Sequence, residues 1–135
     1  MKLDLDCIRD VLLALEAHLK YDDELTIDSI SLEDFCQFPE VDEYSTETIL
    51  YTAEKLHEGG FIELAEEYSS DGLYLACFTG LTFDGHQFLE TIRPQTVFDK
   101  TKSVVSKIGG ATLDIVKAIG TAAITQMANK YLGIN

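Results

Sequence analysis

Cations are scarce in this chain: ten Lys and Arg stand against 24 Asp and Glu over 135 residues, a formal net charge of −14. The shortage is uneven. Residues 1–93 hold five basic side chains (Lys2, Arg9, Lys20, Lys55, Arg93) and 22 acidic ones, a net −17, whereas residues 94–135 hold five lysines and two aspartates, a net +3. Between Tyr21 and Ile92 the single Lys or Arg is Lys55, beside 18 carboxylates. Affinity for nucleic acid depends on neutralising phosphates with Lys and Arg, so residues 1–93 are expected not to bind DNA directly. Cysteines are few as well. Cys7, Cys36 and Cys77 are odd in number, scattered and never spaced Cys-x-x-Cys, which argues against a disulfide framework and a zinc ribbon. His18, His57 and His86 offer no His-x-x-x-His pair, so each reads as a surface or boundary residue rather than a metal ligand. Gly59-Gly60 and Gly109-Gly110 lack the flanks of a phosphate-binding loop, and no Asp/Gly loop has calcium-binding spacing. The opening "MKLDLDCIRD" has no uninterrupted apolar stretch, and no run reaches the roughly 18 apolar residues of a spanning helix. A soluble, cytoplasmic protein with reduced thiols is the expectation.

What the chain does have is apolar material: 46% of its residues are hydrophobic, enough for a real core. Leu5, Ile8, Leu12, Leu15 and Leu19 recur at helical spacing, which predicts an amphipathic helix over 4–20 started by Asp4 or Asp6. "YDDEL" breaks it, "LTIDSI" favours a short strand, and Ser31 with Asp34 suits the cap of a brief helix. Ser45 caps the next helix, through Glu58, with Ile49, Ala53 and Leu56 inward and Thr46, Glu47, Tyr51, Thr52, Glu54, Lys55 and Glu58 outward. Gly59-Gly60 supplies a left-handed ending. Two aromatic-rich runs, 61–68 and 73–79, flank Asp71-Gly72 and predict a hairpin. Thr82 caps a helix through Ile92 that turns Phe88, Leu89 and Ile92 inward, and Pro94 ends or interrupts it.

Helix, short strand, short helix, helix, hairpin and helix make the layout of a winged helix, the hairpin being the wing. "AEKLHEGGFIEL" resembles the phrase in which a recognition helix ends and enters its wing. "LTFDGHQFLETI" resembles the Leu-Thr-x-x-Gly-x-x-Phe-Leu phrase that opens the helix after the wing. A first-turn Gly85 without Cβ would let that helix pack closely. From "MKLDLDCIRDVLLALE" through "YTAEKLHEGGFIE" to "LTFDGHQFLETIR" and the lysine-dotted tail, the chain resembles the bacterial and phage domain of unknown function numbered 2513. The resemblance implies a winged-helix-like domain, often encoded by mobile elements, and brings no catalytic residues. The expected fold is therefore α+β: an acidic winged-helix domain over 1–93 with a basic, amphipathic helical tail over 94–135.

The helix from Ser45 occupies the place of a DNA reader but carries carboxylates, where base readout needs Arg, Lys, Asn or Gln. Its outward face and the wing (Glu47, Tyr51, Glu54, Glu58, Glu66, Glu67 and Asp71) are expected to meet a protein partner with a basic surface. Catalysis is not expected: Cys77, in the apolar run "LYLACF", reads as a buried inert thiol, and the carboxylate clusters read as solvated loop charge. No cofactor or metal is implied. In the tail, Leu113, Val116, Ile119, Ala123, Met127 and Tyr131 line one helical stripe about 28 Å long. That stripe is expected to make the protein a homo-oligomer, a dimer first of all, or else to pack on its own domain. Small residues (Gly110, Ala111, Ala118, Gly120, Ala122, Ala123) would admit a close helix. Two rival readings stand beside this one. A transcriptional regulator would gather Lys2, Arg9 and the tail lysines by oligomerisation, and an effector would lay the tail on a membrane.

Overall fold

The structure, a computed structural model, describes residues 1–109 and 112–134. It is an α+β protein with six helices and one three-stranded antiparallel sheet among the described residues: α1 (Leu5–His18), β1 (Ile30–Ser31), α2 (Leu32–Phe35), α3 (Thr46–Glu58), β2 (Ile62–Ser69), β3 (Gly72–Leu81), α4 (Phe83–Ile92), α5 (Gln95–Ile108) and α6 (Leu113–Leu132). The chain divides into two compact units, Met1–His86 and Gln87–Asn135.

In the first unit the local signals act where the sequence places them. The Asp4 carboxylate accepts from the backbone N–H of Asp6 and Cys7, closing the first turn of α1. Ser31 accepts from Asp34 N–H, and Ser45 from Thr48 N–H. At the far end of α3, Gly60 takes φ +81°. Its N–H donates to His57 O and that of Phe61 to Leu56 O, the paired closure that left-handed glycine permits. The apolar faces of α1 (Ile8, Val11, Leu12, Leu15) and α3 (Ile49, Ala53, Leu56) are buried, and the two helices pack on each other and on the sheet.

The sheet runs β1-β3-β2. Ile30 and Ser31 pair with Phe78 and Cys77, and Ile62 to Ser69 pair with Leu81 to Gly72. Phe35 of α2 stacks on Phe78 with ring centroids 4.0 Å apart, both fully buried. The hairpin loop is Ser70-Asp71, one residue earlier than the Asp-Gly signal suggests, because Ser69 pairs with Gly72 and Gly72 carries φ +117° inside the strand. A shift in register between Glu67 and Tyr68 leaves Tyr74 as an extra residue on β3.

The two phrases that carry the family resemblance meet in space. Thr82 Oγ1 donates to Gly60 O at 2.7 Å and accepts from Gly85 N–H at 3.0 Å, while Thr82 N–H donates to Phe61 O at 3.1 Å. A Cβ on Gly85 would stand 1.9 Å from Phe61 O and 2.7 Å from Leu81 Cδ1. "EGGF" and "LTFDG" thus form a clasp joining the end of α3, the start of β2 and the start of α4.

In the second unit Pro94 opens α5, whose fixed φ suits that position and whose missing N–H is not needed there. Gly109 ends it at φ +82°, the break expected at Gly109-Gly110, of which Gly110 lies outside the described residues together with Ala111. Val97, Phe98 and Thr101 form the buried side of α5, a separate helix face that the sequence reading did not resolve within the tail. α6 packs on it. At Gly120 an added Cβ would meet Thr91 Cγ2 at 3.0 Å and Ile92 Cγ2 at 3.3 Å, so the glycine lets α6 come close to the end of α4 there. Phe88, Leu89 and Ile92 are buried as their spacing predicts.

Candidate functional site

On the first unit, α3 lies beside β2, and the two elements bring carboxylates together from positions twelve residues apart in sequence. Tyr68 donates from its hydroxyl to Glu66 Oε2 at 3.0 Å and reaches Glu54 Oε2 at 3.4 Å. Burial raises the Glu54 carboxyl above the usual range, and its hydrogen bond to Glu66 and repulsion from that group raise it further. The Tyr68 hydroxyl is pushed up to about 12, first by its hydrogen bond to Glu66. Like charges are therefore held close on this face. The nearby cation, Lys55, is committed to Glu58 at 2.8 Å and lies over the Tyr51 ring at 5.6 Å.

Of the residues expected to bind a partner, Glu54, Glu58, Glu66 and Tyr51 cluster on this side of α3 and β2. Glu67 is exposed on β2 and Asp71 at the hairpin loop. Glu47 sits one turn earlier on α3, in a shallow cleft of about 410 Å³ that it lines with Met1, Lys2, Thr48, Leu50, Tyr51 and Glu54. One outward assignment is corrected. Thr52 is buried, because its hydroxyl can donate to Thr48 O at 2.8 Å and so turns inward beside Cys7 Sγ at 3.4 Å. A second correction concerns cysteine. Cys77 is only half-buried, and it is Cys7 that is fully enclosed, its thiol pushed up to about 11 by burial.

Two constellations in this unit escaped the sequence reading because their members lie more than 20 residues apart. His18, at the end of α1, stacks on Phe38 at 3.7 Å with 7° between planes, and its Nε2 lies 3.0 Å from Glu40 Oε2. Burial alone would raise the Glu40 carboxyl, yet a backbone hydrogen bond and His18 hold it below the usual range. The second is Tyr44 Oη, which donates to Asp10 Oδ2 at 2.7 Å. Asp10 is raised by burial despite that bond.

Replacing Tyr44 by Phe strands the Asp10 carboxylate in its half-buried place. A folded-state value raised above the unfolded one means that stability falls as pH rises through it, and loss of the donor raises it further. Tyr44→Phe is therefore expected to cost about 1.5–3 kcal/mol at pH 7 and much less at a pH below the ordinary Asp value. Urea unfolding at both pH values checks this. An equal loss at both would mean that packing, not the charged hydrogen bond, carries the effect.

In the second unit the stripe assigned to an oligomer contact lies on α6, which packs on α5. Val116 is buried, Leu113, Ile119, Ala123 and Met127 are half-buried, and Thr96 Oγ1 approaches Met127 Sδ at 3.9 Å. Tyr131 stands apart at 86% exposed. No helix among the described residues is long and apolar enough to cross a membrane.

The protein is of the α+β class, with a small three-stranded antiparallel sheet. The family model described as "Hypothetical protein (DUF2513)" matches residues 2–112, and the chain belongs to that family. It is similar over 128 residues, at 31% identity, to an "Uncharacterized protein" of Haemophilus influenzae (strain ATCC 51907 / DSM 11121 / KW20 / Rd), covering 94% of this chain and 98% of the relative. No solved structure matches it.

Proposed function

We propose that this protein is a non-catalytic interaction module built on a winged-helix plan, using α3 and the hairpin to bind a protein with a basic surface. The element order α1-β1-α2-α3-β2-β3 and the sheet order β1-β3-β2 support the winged-helix reading, with α3 in the place of a recognition helix. The observation that carries the functional reading is the Glu54–Glu66–Tyr68 group. It concentrates negative charge where a DNA reader would present cations, and Lys55, next to Glu54 in sequence, is already paired with Glu58. Such a face repels phosphate and attracts Lys and Arg of a protein. Association of copies through the C-terminal helices belongs to the same proposal.

The chain is expected to show no measurable binding to labelled duplex DNA at low ionic strength. Micromolar affinity with a steep salt slope would overturn the reading in favour of a regulator. In affinity capture from the native host, a protein that presents a basic surface should be retained by the wild-type chain and lost from Glu54→Lys/Glu66→Lys. Retention by both would place the contact elsewhere.

A further inference from the structure

We infer that the basic surface taken by the acidic α3 and wing face is the exposed face of α5 on a second copy of this chain. The inference rests on the reading just given and names the partner of that site. On α5, Lys100, Val104, Lys107 and Ile108 fall at i, i+4, i+7 and i+8, which lines them along one side of the helix. All four are exposed, Val104 at 39% and Ile108 at 54%. The buried side of α5 is made by Val97, Phe98 and Thr101, so this strip is not what holds α5 to α6. Lys55 and Arg93 each have a carboxylate in contact, whereas Lys100 and Lys107 have no ion-pair partner among the described residues.

A strip of two unpaired lysines between aliphatic side chains needs an acidic surface that also offers apolar contact. The α3 and wing face has that composition: Glu54 and Glu66, with Tyr68 65% exposed and its cross-strand neighbour Leu73 36% exposed. Charge decides between occupants. Residues 1–93 carry −17 and residues 94–135 carry +3, so two copies approaching by their acidic bodies repel, and each gains by taking the other's α5. Screening shortens such attraction to about 8 Å at physiological salt, so the lysines must reach contact, which their exposure allows. Reciprocal exchange of α5 strips about a two-fold axis makes two equal contacts and closes the assembly at a dimer. An anionic bilayer would also attract the lysine strip, but it would repel the body joined to it.

Light scattering on the full chain at tens of micromolar protein and low salt is expected to give twice the 15.0 kDa chain mass. The dissociation constant should weaken at least tenfold in about 1 M salt. Lys100→Glu/Lys107→Glu should be monomeric, and so should Glu54→Lys/Glu66→Lys, each with unchanged circular dichroism. Mixed in equal amounts they should recover the dimer, because each reversed face then meets its complement. If the second variant does not fold, the first decides alone. The inference is overturned if the wild-type chain is monomeric, if either folded variant stays dimeric, or if the mixture stays monomeric. A monomer that binds anionic liposomes overturns it in favour of the membrane. A wild-type monomer that still captures a basic host protein through Glu54 and Glu66 sinks this inference and leaves the proposed function standing.

Discussion

Gly85→Ala is expected to lower stability by about 3 kcal/mol and the thermal midpoint by roughly 10 °C, more than a methyl added at any other described glycine. The new Cβ would stand 1.9 Å from Phe61 O, a backbone atom that cannot rotate away, and 2.7 Å from Leu81 Cδ1. Phe61 O is also the acceptor for Thr82 N–H, so moving it breaks a bond that anchors Thr82 ahead of α4. Phe61 is itself held through its N–H to Leu56 O, at the end of α3. Relief at one point therefore disturbs three elements. Gly60→Ala is the control: its Cβ would meet nothing within 4 Å, but the residue sits at φ +81°, a conformation costing an L residue about 1–2 kcal/mol. Thermal and urea unfolding of the two variants should rank Gly85→Ala well below Gly60→Ala. The reverse order would mean that the clasp is soft and that the close approach of α4 to the hairpin is not a fixed feature.

Phe78→Ala should cost about 3–5 kcal/mol, because Phe78 joins α2 to the sheet of the first unit. It is fully buried, stacks on Phe35 of α2, and pairs across the sheet with Ile30 on one side and Leu64 on the other. Truncation leaves a cavity bounded by β1, β2 and α2, and the two-residue strand β1 has few other contacts with which to stay in place. Tyr74→Ala on the same strand removes a larger side chain, but one that is 75% exposed, and should change stability by less than about 0.5 kcal/mol. Urea midpoints at constant slope test the contrast. Similar losses at the two positions would mean that the hairpin tip is packed as the base is, contrary to the burial along β3.

Much of this architecture was legible because its signals are local. Asp4, Ser31 and Ser45 cap helices through atoms two or three residues away, Gly60 ends one, and Thr82 opens another, so sequence neighbours alone decide these points. Periodicity marked Ile49, Ala53, Leu56, Phe88, Leu89 and Ile92 as inward, since a 3.6-residue repeat has one apolar side whatever covers it. Even the need for a glycine at 85 could be argued from the first turn of a helix. Charge is additive, and the acidic body and basic tail needed no structure at all.

What covers a face, and which distant groups meet on it, is a different kind of information. Periodicity found the stripe from Leu113 to Tyr131 but could not name its neighbour, and the fold packs α6 on α5 and leaves every stripe residue except Tyr131 at least half-buried. Thr52 looks polar and outward by composition, yet a helix lets its hydroxyl bond Thr48 O and go inside. Tyr68 was not among the expected contact residues, and only the packing of β2 beside α3 sets its hydroxyl between Glu54 and Glu66. His18 with Glu40 and Asp10 with Tyr44 are likewise products of chain reversal. Local conformation and total charge depend on covalent neighbours and composition, which the sequence contains. Burial of a given side chain and the pairing of remote charges depend on which surfaces the folded chain brings together, and that was decided only in three dimensions.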